Sequence, residues 1–422
     1  MSTADDPFTI DADRLWSNLM ELKEIGGYDD EATGLRGVRR LALTEQDAAA
    51  RHRVIGWMRE VGLSVRIDRI GNVYATRPGS EPGLASVLLG SHLDSVATAG
   101  AFDGVLGVLG ALEAVLSLDE HHITTRRPIE IGIFTEEEGV RFGTDMLGSA
   151  VAAGRIPLEV ALKLTDADDI AVRDALHRIG FDGSEPELRP VPHAYLECHI
   201  EQGPVLATAG LPIGIVTGVQ AISWQRLSLR GAAAHAGTTP IALRRDAGLA
   251  AAAVMLELRR ICDSGAFGAL RATVGRLELT PGQTNVIPSG ATLTVDLRNP
   301  DDAALLAAEQ HLEFFVESLA STYGVTGVLE RMARTGAVPF DPAVQDLLAA
   351  TADDLGLPHQ RLISGAGHDA QEMAALCPAA MVFVAGEYGG ISHNPREFST
   401  PENCARGVRL LANAARRLAD QP

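Results

Sequence analysis

The sequence predicts an α/β protein in two parts: a discontinuous larger domain with helices on both faces of a mixed sheet, and an inserted α+β module of ferredoxin-like layout. Three observations carry this. Short apolar runs that read as buried strands alternate with helical periodicity through the first half of the chain, the order expected of a mixed or parallel sheet. Near Gly210 the order changes to strand, strand, helix, strand, strand, helix. From Pro342 the earlier style resumes. At 422 residues the chain has the length of two domains rather than one. Residues 1–211 and 331–422 are assigned to the larger domain and 212–330 to the insertion.

Asp11–Ile25 and Glu45–Val61 carry apolar residues at three- and four-residue steps and read as helices. Leu63–Arg69 and Val73–Arg77 alternate like a hairpin about Gly71-Asn72. Val87–Leu89 forms the core of a strand ending at Gly90, followed by a loop and an apolar helix over Val105–Leu118. Ile129–Phe134 is a strand, Asp145–Ala153 a helix and Ala194–Leu196 the apolar run of another strand. In the insertion, strands are expected at Ile213–Val219, Ile222–Leu229, Ala272–Leu279 and Ala291–Arg298, with helices Arg245–Cys262 and Ala303–Tyr323. Two helices on one face of a small sheet make a β-α-β-β-α-β module. Helix Pro342–Leu355, strand Ala380–Ala385 and helix Asn403–Leu418 complete the larger domain.

Composition removes several function classes. A net charge of −19 without a basic stripe argues against a nucleic-acid partner. No run reaches the roughly 18 apolar residues of a membrane span. Met1–Ile10 is acidic and polar, unlike the charged-then-apolar layout of a signal peptide. Cys198, Cys262, Cys377 and Cys404 lie far apart with no Cys-x-x-Cys pair, which fits free thiols in a reducing compartment. A cytoplasmic location is expected. Cys198 adjoins His199, but strand neighbours alternate faces, so its thiol is expected in the core.

His92, Asp103, Glu138, His199 and His393 recur in one setting, at or just beyond the end of a buried strand. The carboxyl ends of strands in an open α/β sheet converge on the ligand crevice. Five nitrogen and oxygen ligands gathered there suggest a metal centre, with Asp103 placed to bridge two cations. Each residue also has an ordinary structural explanation: Asp103 precedes a helix and suits an N-cap, and single histidines are commonly satisfied polar groups. Asp94, two residues from His92 on an extended segment, is placed to orient that imidazole. Glu136-Glu137-Glu138 directly follow an apolar strand and repel one another unless cations compensate. One can bind metal while another works as a base on a metal-acidified water; the spacing leaves open which does which. Mixed His and carboxylate ligands without a cysteine set suit a catalytic rather than a structural site, Zn²⁺ foremost, with Mn²⁺, Co²⁺ or Ni²⁺ compatible.

These segments resemble a known family. Gly90–Ser95, Phe102–Gly107, Thr135–Phe142, His199–Pro204, Gly231–Pro240, Thr284–Ile287, Ser364–Gln371 and Gly389–Pro395 are similar, in order, to the M20-like amidases of the hydantoinase/carbamoylase family. That family includes N-carbamoyl-L-amino acid hydrolases and allantoate amidohydrolases. The resemblance implies a metallopeptidase-like catalytic domain and an inserted dimerisation or lid domain. It implies two divalent metal ions, one on His92 and His199, the other on Glu138 and His393, with Asp103 bridging and Glu137 as general base. It also implies substrate contacts at Gln202, His235, Asn285 and Arg298, with His235 stabilising an oxyanion, in trans, within a homodimer. The activity implied is hydrolysis of the carbamoyl C–N bond of N-carbamoyl-L-amino acids. Allantoate amidohydrolase is the nearest alternative, and β-ureidopropionase or an M20 aminoacylase are further ones. Ala99-Gly100-Ala101 departs from the family, whose members often carry paired glycines and a larger residue there. The residues fit these roles: Arg298 offers a fork for a carboxylate, Asn285 both donates and accepts, and His235 can donate to an oxyanion.

Overall fold

The computed structural model describes residues 7–186 and 190–421. It divides into two compact units, Met1–Gly218 with Pro339–Pro422, and Val219–Val338. The expected boundaries at 212 and 331 therefore move. Ile213–Val219, expected in the insertion, pairs antiparallel with Ala379–Val384 in the larger sheet. Its apolar run looks alike in either place, and only the pairing partner decides. At the other end, strand Thr326–Thr335 pairs along Ala221–Arg230 and carries the smaller unit past residue 331.

The large sheet runs Ile213–Val219, Ala379–Val384, Ala194–Ile200, Val87–His92, Ile129–Phe134, Val73–Arg77, Ser64–Ile67, with His359–Ser364 beside the first. The four strands from Ala379–Val384 to Ile129–Phe134 are mutually parallel. Their carboxyl ends therefore open on one edge of the sheet. All four are buried along their whole length, which explains continuous apolar runs where an exposed strand would alternate. Ala12–Glu24 is capped by Asp11, and Glu45–Glu60 by Thr44, each through its side-chain oxygen. Helix Val105–Glu120 is buried over most of its surface and packs on helix Pro401–Ala419 and on the central strands.

Two strands reach further than their apolar runs suggest. Val87–His92 includes His92, and Ala194–Ile200 includes His199, so both imidazoles stand on sheet backbone rather than on loops. Sequence reading missed the hairpin Gly27–Asp30 with Leu35–Val38, rich in Asp, Gly and Arg, and strand His359–Ser364, which has only two apolar residues.

The smaller unit is a four-stranded antiparallel sheet in the order Arg271–Thr280, Gly290–Asn299, Ala221–Arg230, Thr326–Thr335. Counted along the chain the strand order is 4-1-3-2 read from the far edge, the β-α-β-β-α-β arrangement. Helices Ala247–Ser264 and Asp302–Tyr323 close one face over a core that includes Leu227, Val254, Leu293, Leu297, Leu312 and Leu319.

Candidate metal centre

Two strand ends, carrying His92 and His199, and three loops, carrying Asp103, Glu138 and His393, bring the expected ligands together at the carboxyl edge of the parallel strands. They form two groups that share Asp103: His92, Asp103 and His199 in one, Asp103, Glu138 and His393 in the other, with the ligand atoms of each group within 4.8 Å of one another. His92 and His199 come from neighbouring strands. Glu138 follows Phe134 through a turn in which Glu136 takes a positive φ of 54°. His393 also has a positive φ, 56°, in the loop after Ala379–Val384, and its side chain is half exposed.

Asp103 does not cap its helix. The N-cap is Gly104, with no side-chain capping bond, and the Asp103 carboxylate turns to the cluster. His199 Nε2 lies 3.1 Å from its Oδ1, His92 Nε2 3.5 Å from the same oxygen, and His393 Nε2 3.5 Å from Oδ2. Gln202 Nε2 donates to Oδ2 at 2.6 Å, and Ser392 Oγ lies 2.8 Å from the same oxygen. Gly104 itself has φ 67°, and a Cβ there would lie 2.5 Å from the His92 ring. Only glycine allows that approach.

The three consecutive carboxylates separate, as neighbours on an extended chain should. Glu136 folds onto its own loop and accepts the amides of Arg141 and Phe142 at 3.0 and 2.7 Å. Glu137 Oε2 lies 3.5 Å from His92 Nε2. Glu138 Oε2 lies 3.3 Å from His393 Nε2, while its Oε1 accepts the Val96 amide. Asp94 orients this segment differently than expected. Its carbonyl, at 2.9 Å, takes the His92 Nδ1 proton, and its carboxylate accepts the amides of Glu137 and Glu138 at 3.3 Å each.

The tautomers test whether cations fit. His92 Nδ1 faces the Asp94 carbonyl and His199 Nδ1 the Ile200 carbonyl, both at 2.9 Å, so each neutral ring carries its proton on Nδ1 and its lone pair on Nε2, on the side of Asp103, where that of His199 also accepts the Gly104 amide at 3.1 Å. His92 Nε2 is buried without a hydrogen-bond partner, and its 3.5 Å approaches to carboxylates exceed hydrogen-bond length. Lone pairs aimed at carboxylates repel unless a proton or a cation lies between them. The proton affinities agree. Burial lowers the His92 imidazole, but Glu137 foremost, with Asp103 and Asp94, carries it well above its ordinary range. Burial and then Asp103 push Glu138 up to about 8, and burial pushes Glu137 well above the carboxylate range, with Asp369, Glu138 and Asp103 adding to it. Against burial, His199 foremost holds the Asp103 carboxyl well below its usual value. The cluster holds more negative charge than it can keep without positive partners, and the mixed imidazole and carboxylate donors suit divalent transition metals.

The expected substrate residues divide. Gln202 belongs to the cluster: it has φ 56°, and with Nε2 fixed on Asp103 its Oε1 is buried without a partner. His235, Asn285 and Arg298 stand in the smaller unit. His235 pairs with Val286 across two short strands, and its Nδ1 accepts the amides of Gly237 and Thr238 at 3.0 and 3.2 Å. That leaves the proton on Nε2, an exposed N–H donor. The Asn285 carbonyl accepts the Ala236 amide at 3.0 Å, which places its exposed side chain beside the His235 turn. Arg298 is bound to Asp296, its Nε at 3.1 Å from both oxygens and Nη2 at 2.9 Å. Two residues apart on one strand, they share a face, so an incoming carboxylate must compete with Asp296.

Sequence reading missed Glu397 and Glu197. Glu397 is buried behind Asp103, and burial followed by Asp103 pushes its carboxyl up to about 7. Glu197 is buried and accepts Ser91 Oγ at 2.7 Å, Tyr195 Oη at 3.1 Å and the Ala370 amide at 3.0 Å. In the Gly365–Asp369 loop the His368 ring lies buried 4.6 Å from His199, centroid to centroid. Cys198 is buried in the core as expected.

The comparisons with known proteins agree with one another. Residues 88–417 match the model of peptidase family M20/M25/M40. The chain is 39% identical, over 97% of its length and 99% of the other's, to an N-carbamoyl-L-amino acid amidohydrolase of Geobacillus stearothermophilus. It is 35% identical to a ureidoglycolate hydrolase of Oryza sativa subsp. japonica, covering 98% of this chain and 86% of that one. A crystal structure of a hydantoinase/carbamoylase family amidase from Burkholderia multivorans superposes with a TM-score of 0.94 at 41% identity, covering 98% and 99% of the two chains.

Proposed function

The chain belongs to peptidase family M20/M25/M40, among its hydantoinase/carbamoylase amidases, and from that premise we propose a metal-dependent amidohydrolase that cleaves the carbamoyl C–N bond of N-carbamoyl-L-amino acids. The products are the L-amino acid, CO₂ and ammonia. The observation that carries the proposal is the pair of ligand groups sharing Asp103, in a chain similar end to end to an enzyme named for that reaction.

His92 and His199 would hold one cation, Glu138 and His393 the other, and Asp103 both. When bound, such cations, Zn²⁺ foremost, polarise a carbonyl oxygen and make water nucleophilic near neutral pH. Glu137 accepts the proton of the attacking water, since it stands beside the cluster without being needed as a ligand in either group. It then hands that proton to the leaving nitrogen. Gln202 Oε1, buried and unpartnered, accepts an N–H of the substrate. The Nε2–H of His235 is a donor for the developing oxyanion. Arg298 exchanges Asp296 for the substrate carboxylate, and Asn285 supplies a further polar contact.

The competing reading is a ureide such as allantoate or ureidoglycolate, favoured by the similarity to the rice enzyme. Turnover of N-carbamoyl-L-methionine, allantoate, ureidoglycolate, β-ureidopropionate and N-acetyl-L-methionine, measured side by side, separates them. The proposal expects the N-carbamoyl-L-amino acid to have the highest kcat/KM, and a clear preference for any of the others overturns it.

The proposal extends to a homodimer in which His235 serves the partner's site. Each of the variants His235→Ala and Glu137→Gln is then inactive alone. Mixing them under subunit exchange restores about a quarter of the sites, because one site of each mixed pair has both groups. Exchange without recovered activity removes the in-trans role. Among the described residues no helix is long and apolar enough to cross a membrane.

A further inference from the structure

Behind the cluster, a side chain with no part in the reaction joins two segments that lie far apart in sequence. Glu397 is 5% exposed. Its Oε1 accepts the backbone amides of Phe102 at 2.9 Å and Asp103 at 3.2 Å, and its Oε2 accepts Ser392 Oγ at 2.7 Å. The same Ser392 hydroxyl lies 2.8 Å from Asp103 Oδ2, so one hydroxyl links the two carboxylates, and Ser392 is the residue before His393. Thr98 Oγ1 adds a bond to the His393 carbonyl at 3.2 Å. Gly100 makes the approach possible: a Cβ there would lie 2.4 Å from Glu397 Cβ and 2.7 Å from Oε1. The departure from the family at Ala99-Gly100-Ala101 thus keeps glycine at the position where the loop presses on Glu397.

The two ligand groups are supported differently. His92 and His199 stand on buried strands that pair directly with each other. Asp103 and His393 stand on loops, and Glu397 with Ser392 ties one loop to the other. Two carboxylates on one hydroxyl repel in a buried site, which a cation on Asp103 offsets.

We propose, resting on the metal-centre reading above, that Glu397 is a positioning residue that locks the Asp103 segment to the His393 loop and so sets the affinity of the Asp103, Glu138, His393 position. It touches neither substrate nor cation. Groups that orient ligands in this way typically account for roughly 10- to 100-fold in metal affinity.

The test is Zn²⁺ binding to metal-free protein in competition with a chromophoric chelator, for wild type, Glu397→Ala, Glu397→Gln and Ser392→Ala, with circular dichroism and the thermal midpoint recorded. Wild type is expected to take two equivalents. In Glu397→Ala the first equivalent binds in the wild-type range and the second is weakened roughly 10- to 100-fold. Glu397→Gln keeps an oxygen for the two amides and is weakened less. Ser392→Ala, which removes only the link between carboxylates, weakens the second equivalent selectively. A folded Glu397→Ala that binds both equivalents like wild type, or loses both equally, overturns the proposal. If Glu397→Ala does not fold, wild-type affinity for the second equivalent in Ser392→Ala overturns it. Wild type that takes up no metal is a different result and sinks the proposed function itself.

Discussion

Replacing Glu137 by Gln lowers kcat by roughly 10²- to 10⁴-fold, the range general-base catalysis supplies, in protein that still binds two metal equivalents. The substitution keeps the shape and one oxygen beside His92 Nε2, now 3.5 Å from Glu137 Oε2, and removes only the basic carboxylate. Neither ligand group contains Glu137, so metal content should hold. Substrate binding should change little, so the loss falls on kcat rather than KM. The Asp94 carboxylate fixes the Glu137 backbone from behind at 3.3 Å, and so a Gln side chain there stays in place. Near-normal turnover of the metal-loaded variant would remove Glu137 from the base's role.

The second large effect is at Asp103. Its two oxygens face three imidazoles, with His92 and His199 at Oδ1 and His393 at Oδ2, and no other residue belongs to both of those groups. Asp103→Ala therefore weakens both cation positions together, where Glu138→Ala or His393→Ala weakens one. The lost Lewis-acid assistance is worth several kcal/mol, and about 4 kcal/mol is already about a thousandfold in rate. Removal also leaves His92 Nε2, already without a partner, facing a void.

The main lines of the fold and site were readable because they rest on local patterns. Buried parallel strands demand continuous apolar runs, and polar residues that interrupt such runs at the carboxyl end, as at His92, His199 and Glu137-Glu138, stand out. What escaped depends on partners distant in sequence. Ile213–Val219 reads as a strand, but its pairing with Ala379–Val384 decides its domain. Glu397 follows His393 by four residues on a loop, and no periodicity marks a carboxylate whose partners are the Phe102 and Asp103 amides. The separate placement of the Glu136, Glu137 and Glu138 side chains goes with a turn at positive φ that carboxylate spacing does not encode. The Arg298–Asp296 pair could have been found, since residues two apart on a strand share a face; the fork was read for substrate alone.

The most direct test of the metal centre is a single titration. Wild type and Asp103→Ala are stripped with a chelator and Zn²⁺ is added back, while bound metal and turnover of N-carbamoyl-L-methionine are followed together. The account predicts no turnover in stripped wild type, recovery that is complete at two equivalents per chain, and neither binding nor recovery at the same metal concentrations in Asp103→Ala. Full turnover of the stripped protein, or tight binding of two equivalents without Asp103, contradicts it.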